Sequence, residues 1–197
     1  MFLNKDYYPA DAGKKLQFMK YQNIAEIYDS NDKIRENLKA TIEGLTDEQA
    51  AAAAPEGEKW SLAQLVEHIA IVEDGMTGIC AKLLLKAQAE NKTSDGAAKM
   101  SENFLTKAVE IANLKVEAPE RVRPTGTKTV AESLARMEEN RENLKKLRPL
   151  FESVDGTQHK FPHPFFGDLT AHEWLALVGG HELRHLKQIK NLLEKIN

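Results

Sequence analysis

Hydrophobic positions recur at three- and four-residue steps along most of the chain from residue 21 onward, the spacing of one face of an α-helix. Ile24, Ile27, Ile34, Leu38, Ile42 and Leu45 form a first stripe. A second runs through Leu62, Leu65, Ile69, Val72, Met76, Ile79 and Leu83, softly interrupted by Gly75 and Gly78. Leu134, Met137, Leu144, Leu147 and Phe151 form a third; Trp174, Val178, Ile189, Leu192 and Ile196 form a fourth. Between the second and third, Phe104, Ala108, Ile111 and Leu114 mark a shorter helix over 101–114. Capping boxes pair Thr46 with Gln49, Ser61 with Gln64, Thr129 with Glu132 and Thr170 with Glu173. The pattern predicts long helices over 21–45, 61–90, 129–152 and 170–196, with negligible strand. An alanine-rich turn after Thr46 breaks near Pro55 and Gly57. Pro119, Pro124 and Gly126 impose an extended connection, and 153–169, with Gly156, Pro162, Pro164 and Gly167, reads as a loop. Four amphipathic helices make an all-α four-helix bundle the economical fold.

Composition narrows the class further. The 197 residues suit one domain: an N-terminal arm or leader of unknown role over 1–20, then a bundle over 21–197. A formal net charge of −3 argues against a nucleic-acid footprint. No apolar run approaches the ~20 residues that span a bilayer, and the N-terminus has no signal-like apolar segment. The single cysteine, Cys80, permits no intramolecular disulfide and reads as a small core residue. A cytoplasmic location is the expectation.

The histidines carry the chemistry. His181 and His185 fall on the core stripe of the last helix, where apolar residues are expected, and their i, i+4 spacing stacks both imidazoles on one face. Two buried imidazoles repel if charged and need two acceptors if neutral; a divalent metal bound to one nitrogen of each removes the difficulty. His68 borders the stripe of the second helix. A neighbour carrying the pair would complete a three-histidine site with open coordination positions. His159, His163 and His172 read as loop or first-turn residues, His163 extended before Pro164 and His172 exposed. The pair also lies within His181-Glu182-Leu183-Arg184-His185, the H-E-x-x-H of zinc peptidases, with Glu182 as base. Against that reading stand the missing downstream ligand and the absence of any strand-like run; Glu182 reads as solvated.

Several stretches resemble the DinB/YfiT-like family: His163-Pro164-Phe165-Phe166-Gly167-Asp168-Leu169-Thr170 running on to Glu173-Trp174-Leu175, then His181, Arg184, His185 and Gln188. Trp60-Ser61 with Leu65 and His68, the Pro119 to Gly126 segment, and Arg141 fit the same pattern. The resemblance covers about residues 25–196. It implies a four-helix bundle with long crossover connections and a metal, zinc or nickel, held by His68, His181 and His185. Characterised relatives include thiol S-transferases and a thiol-dependent isomerase, and homodimers are common among them.

The expectation is a metal-dependent enzyme with thiol S-transferase or hydrolase chemistry, acting on a small-molecule substrate, with a low-molecular-weight thiol as one candidate. A metal- or small-molecule-binding bundle without turnover is the alternative. Around the site, Gln188 is either an orienting partner of a ligand imidazole or a satisfied core amide. Arg141 sits where an apolar residue was expected, and either pairs with a carboxylate such as Glu73 or holds a substrate anion. Gly179 and Gly180, mid-helix, cost about 1 kcal/mol each against alanine; they give either close helix approach or room above the metal.

Overall fold

A computed structural model describes residues 20–52, 54, 58–112, 114 and 116–196. The expected arm, and the break at Pro55 and Gly57, therefore lie outside the described residues, save Lys20. The elements are α1 (Ile24–Ile42), α2 (Asp47–Ala51), α3 (Leu62–Ala89), α4 (Glu102–Ala112), a 3-10 turn (Glu120–Val122), α5 (Val130–Lys146), α6 (Arg148–Ser153), β1 (Lys160–His163), β2 (Gly167–Thr170) and α7 (Ala171–Ile196). Reciprocal capping boxes open α2, α3 and α5 as their sequences require. At the start of α7 the Glu173 carboxylate accepts from the Thr170 amide at 2.8 Å and the Thr170 hydroxyl accepts from the Glu173 amide at 3.3 Å.

The bundle is α1, α3, α5 and α7. α3 packs on α5 and α7, and α7 packs on α1. Two apolar clusters fill it, one at each end. One takes Ile24, Ile27 and Tyr28 of α1, Met76 to Leu84 of α3, Leu144 of α5 and Trp174 to Val178 of α7. The other takes Leu38 and Ile42, then Leu62 to Ala70, Met137, and Leu186 to Leu192. Each helix therefore runs from one cluster to the other: α1 and α7 in one direction, α3 and α5 in the opposite one. The α3–α5 connection must return along the whole bundle. It does so through α4 and the 3-10 turn, and so becomes a wall over the face that α3 and α7 share.

Three expectations change. The helix expected over 129–152 breaks at Leu147. Pro149 has no amide hydrogen to give to the turn before it, and the Leu147 amide closes on Leu144 O at 3.0 Å instead. α4 stops at Ala112, leaving Leu114 outside the helix and 56% exposed. The segment 153–169 is not all loop: β1 and β2 pair antiparallel, Lys160 with Thr170 through His163 with Gly167. Pro162 and Pro164 hide the alternation, but Leu169 is fully buried and Phe161 half-buried, so the ribbon has an apolar side. The fold remains all-α in its core, and no helix of the described residues is long and apolar enough to cross a membrane.

Candidate metal centre

His68 of α3 and His181 and His185 of α7 converge, with one potential ligand nitrogen from each within 4.8 Å of the others. His68 and His185 are buried, and His181 is half-buried. Antiparallel packing of α3 on α7 brings the second turn of α3 opposite the middle of α7, which is why residues 113 positions apart meet.

Their partners define the tautomers. His68 Nδ1 lies 2.6 Å from Val122 O, and His185 Nδ1 lies 2.5 Å from Gln188 Oε1. Both oxygens only accept, so both Nδ1 atoms carry the proton and both Nε2 atoms keep a lone pair. His185 Nε2 in turn faces His181 Nε2 at 3.1 Å. Two nitrogens bound tetrahedrally at the usual Zn–N length would be about 3.3 Å apart. The donor set therefore fits a divalent transition metal. Burial holds all three rings neutral: it pushes His185 down to about 3, with the neighbouring His68 adding to the effect, and pushes His181 and His68 down as well. Neutral imidazole is the form that ligates.

The returning connection is pinned over this centre. Besides Val122, the carboxylate of buried Glu67 accepts from the amides of Thr125 and Gly126 at 3.0 and 2.9 Å, and from the Thr125 hydroxyl at 2.6 Å. Arg184, between the two histidines of α7, donates to Ile111 O at 2.7 Å and Leu114 O at 2.5 Å. Trp60 packs its ring 4.8 Å from that of His68. Neither Glu67 nor Val122 stands out in the sequence; for Glu67 the one available signal is a carboxylate adjoining a candidate ligand.

A cleft of about 1880 Å³ opens over the histidines. Val72, Met76, Ile79, Leu105, Ile111 and Leu177 give it apolar walls, and Gly180 and Gln188 line it beside the imidazoles. The two mid-helix glycines divide the roles foreseen for them. A Cβ on Gly179 would stand 2.1 Å from Asn31 Oδ1, so its absence permits close approach of α1, whereas Gly180 borders the cleft.

Glu182 and Arg141 belong elsewhere. Glu182 is not solvated; it is 1% exposed, and Arg35 Nε donates to its Oε1 at 2.7 Å while Arg141 Nη2 donates to its Oε2 at 3.2 Å. Arg35 also meets Glu73 at 2.7 Å, and Arg141 meets Glu73 at 3.3 Å and Asp32 at 3.0 Å. One charged residue from each bundle helix thus enters a closed ring between the two apolar clusters. Arg141 takes the ion pair rather than the cleft, and neither it nor Glu182 lines the cleft. With its carboxylate held by two guanidiniums, Glu182 is not poised as the base of a zinc peptidase. His172 is also not exposed: it is 1% exposed, and its ring lies where a Cβ on Gly156 would be 2.7 Å away. His159 pairs with Glu90 at 3.0 Å.

Four helices around a buried charge ring, with three imidazoles at the floor of one cleft, define a helical bundle with a metal-compatible histidine centre. The chain belongs to the DinB superfamily, whose sequence pattern matches residues 31–189. It is 28% identical over 156 residues to the uncharacterized protein YuaE of Bacillus subtilis, a match spanning 79% of this chain and 90% of that protein. The crystal structure of TT2238, a four-helix bundle protein, superposes with a TM-score of 0.56 at 21% identity, covering 84% of this chain and 96% of that one.

Proposed function

We propose that the protein is a metal-dependent enzyme that transfers a low-molecular-weight thiol to a small electrophile. The observation that carries this reading is the set of three neutral imidazoles opening onto an apolar cleft, with the Nε2 lone pairs of His68 and His185 turned inward and that of His185 3.1 Å from His181 Nε2. His68, His181 and His185 would hold one zinc or nickel ion. When bound, such an ion supplies Lewis acidity that favours a thiolate over a thiol. Three uncharged ligands leave that charge for an anionic nucleophile to balance. Val122 O and Gln188 Oε1 hold two of the rings in the ligating tautomer, and the apolar cleft walls offer a surface for the body of the electrophile. In the transfer the thiolate sulfur forms a bond to carbon, the leaving group departs with its electron pair, and the thiol proton passes to solvent. Hydrolysis at the same centre would need a base for water, and Glu182 is occupied in the charge ring. The proposal extends to a cytoplasmic setting and a homodimer.

Elemental analysis of purified protein should find up to one transition metal per chain. His185→Ala should lower metal affinity by about 100-fold or more and abolish conjugation of a thiol to an aryl halide, with helical content retained. Full occupancy in that variant would dismiss the site; metal bound without conjugation would leave a binding protein and dismiss the transferase.

A further inference from the structure

The cleft has a second polar place, away from the three ligands. His163 ends β1, and its Nδ1 accepts from the amides of Phe165 at 3.1 Å and Phe166 at 3.3 Å. An atom that accepts two amide hydrogens carries no proton of its own, so the ring hydrogen is on Nε2. Packing fixes the ring: it lies edge-on to Phe166 at 5.0 Å and 5.3 Å from Trp174, between centroids. Nε2 has no hydrogen-bond partner among the described residues, while His163 lines the cleft together with the three ligand histidines. Burial, reinforced by the nearby charge of Arg121, lowers His163 to about 4, so the ring stays a neutral donor at physiological pH. Arg121 lines the same cleft, borders with Pro164 a shallow hollow beside it, and makes no ion pair among the described residues. A fixed N–H and an uncommitted guanidinium lining one cleft, near enough for the Arg121 charge to act on His163, are a site for an anionic oxygen group.

We propose that His163 and Arg121 form a carboxylate subsite of the cleft, so that its ligand is an organic acid whose apolar body lies along the wall made by Val72, Met76, Ile79 and Leu177. This deepens the function proposed above, on which it rests only for what happens at the other end of the ligand. His163 is here a positioning residue for the acid group; the histidine ligands lie apart from it on α3 and α7.

The test compares 4-phenylbutyrate with 4-phenylbutanol, which share an apolar body, by calorimetry on metal-stripped full-length protein. The acid should bind at least about ten-fold more tightly than the alcohol. Arg121→Gln should bring the two within about three-fold. His163→Asn, which keeps an acceptor for the Phe165 and Phe166 amides and hence the turn, should do the same. His163→Gln, whose amide nitrogen reaches where Nε2 stands, should keep most of the preference. Equal affinity for the two probes, binding of neither, or loss in His163→Gln as complete as in His163→Asn would overturn the proposal. So would a preference that needs added metal and survives both Arg121→Gln and His163→Asn, since the acid would then be reading the metal. A protein that never binds metal would defeat the transferase reading while leaving the metal-free preference intact.

Discussion

Glu182 and His181 are neighbours on α7, yet they belong to two polar regions that differ in every respect that matters. In the charge ring, Arg35, Glu73, Arg141 and Glu182 have side chains at most 4% exposed and answer one another's charges, with Met137 O and Asp32 taking further guanidinium hydrogens. In the histidine cluster, the Nε2 atoms converge on each other, no donor from the returning connection or the apolar wall meets them among the described residues, and the space above is open cleft. Burying polar groups is tolerated when the chain itself satisfies them. A polar group left unsatisfied beside a cavity calls for something from outside. By that criterion the ring, closed by ion pairs between all four helices, is structure, and the histidines are the candidate site.

Substitution at Glu182 should separate the two regions most sharply. Glu182→Ala leaves two buried guanidiniums with too few partners and should lower the free energy of unfolding by about 3–5 kcal/mol in urea titrations. The folded fraction should retain its metal. A change under about 1 kcal/mol would mean that water reaches the ring and that the contrast is weaker than the geometry makes it.

Next in size is the response of the metal-free protein to acid. In the unfolded chain His185 titrates near its ordinary 6.5; in the fold, burial first and His68 second hold it to about 3. Above pH 6.5 both states are neutral and stability is at its full value. As pH falls below that, the unfolded chain takes up a proton that the folded one refuses, so stability drops by about 1.4 kcal/mol per unit, or about 2 kcal/mol by pH 5. His185→Leu should flatten the curve by that amount, and a curve of unchanged slope would return His185 to solvent.

The smallest effect probes the border of the site. Gln188→Leu removes the acceptor at His185 Nδ1. Metal affinity should fall about ten-fold or somewhat more, with the urea midpoint nearly constant. An unchanged affinity would make Gln188 a core amide only.

Much of this arrangement is legible in the sequence itself. The i, i+4 pair on a core stripe placed His181 and His185 on one face, and His68 bordered the stripe that α3 turns toward them. Arg141 betrayed itself as a charge in an apolar position. The burial of Glu182 is hidden from the sequence because its two partners lie 147 and 41 residues away, on α1 and α5. Arg35 sits in the first stripe between Ile34 and Leu38, a signal of the same kind as Arg141, and pairing the two arginines would have called for two buried carboxylates. His172 and the hairpin were less accessible. A histidine in the first turn of a capped helix is normally wet, and only the missing Cβ of Gly156 lets this ring in. The tautomer of His163 depends on two backbone amides, which no side-chain pattern encodes.

The charge ring also bears on how the chain assembles. Each of its four members comes from a different helix, and the salt links join α1 to α3 and α5 to α7, pairs that share little other contact. A subset of three docked helices would strand at least one buried charge, at a cost of several kcal/mol. Partly built bundles are therefore selectively penalised, and so is a helix slipped by one turn, which would carry its charge into an apolar cluster. The ring thus works as an assembly checkpoint: it adds little to the depth of the native well and much to the gap between that well and its nearest rivals.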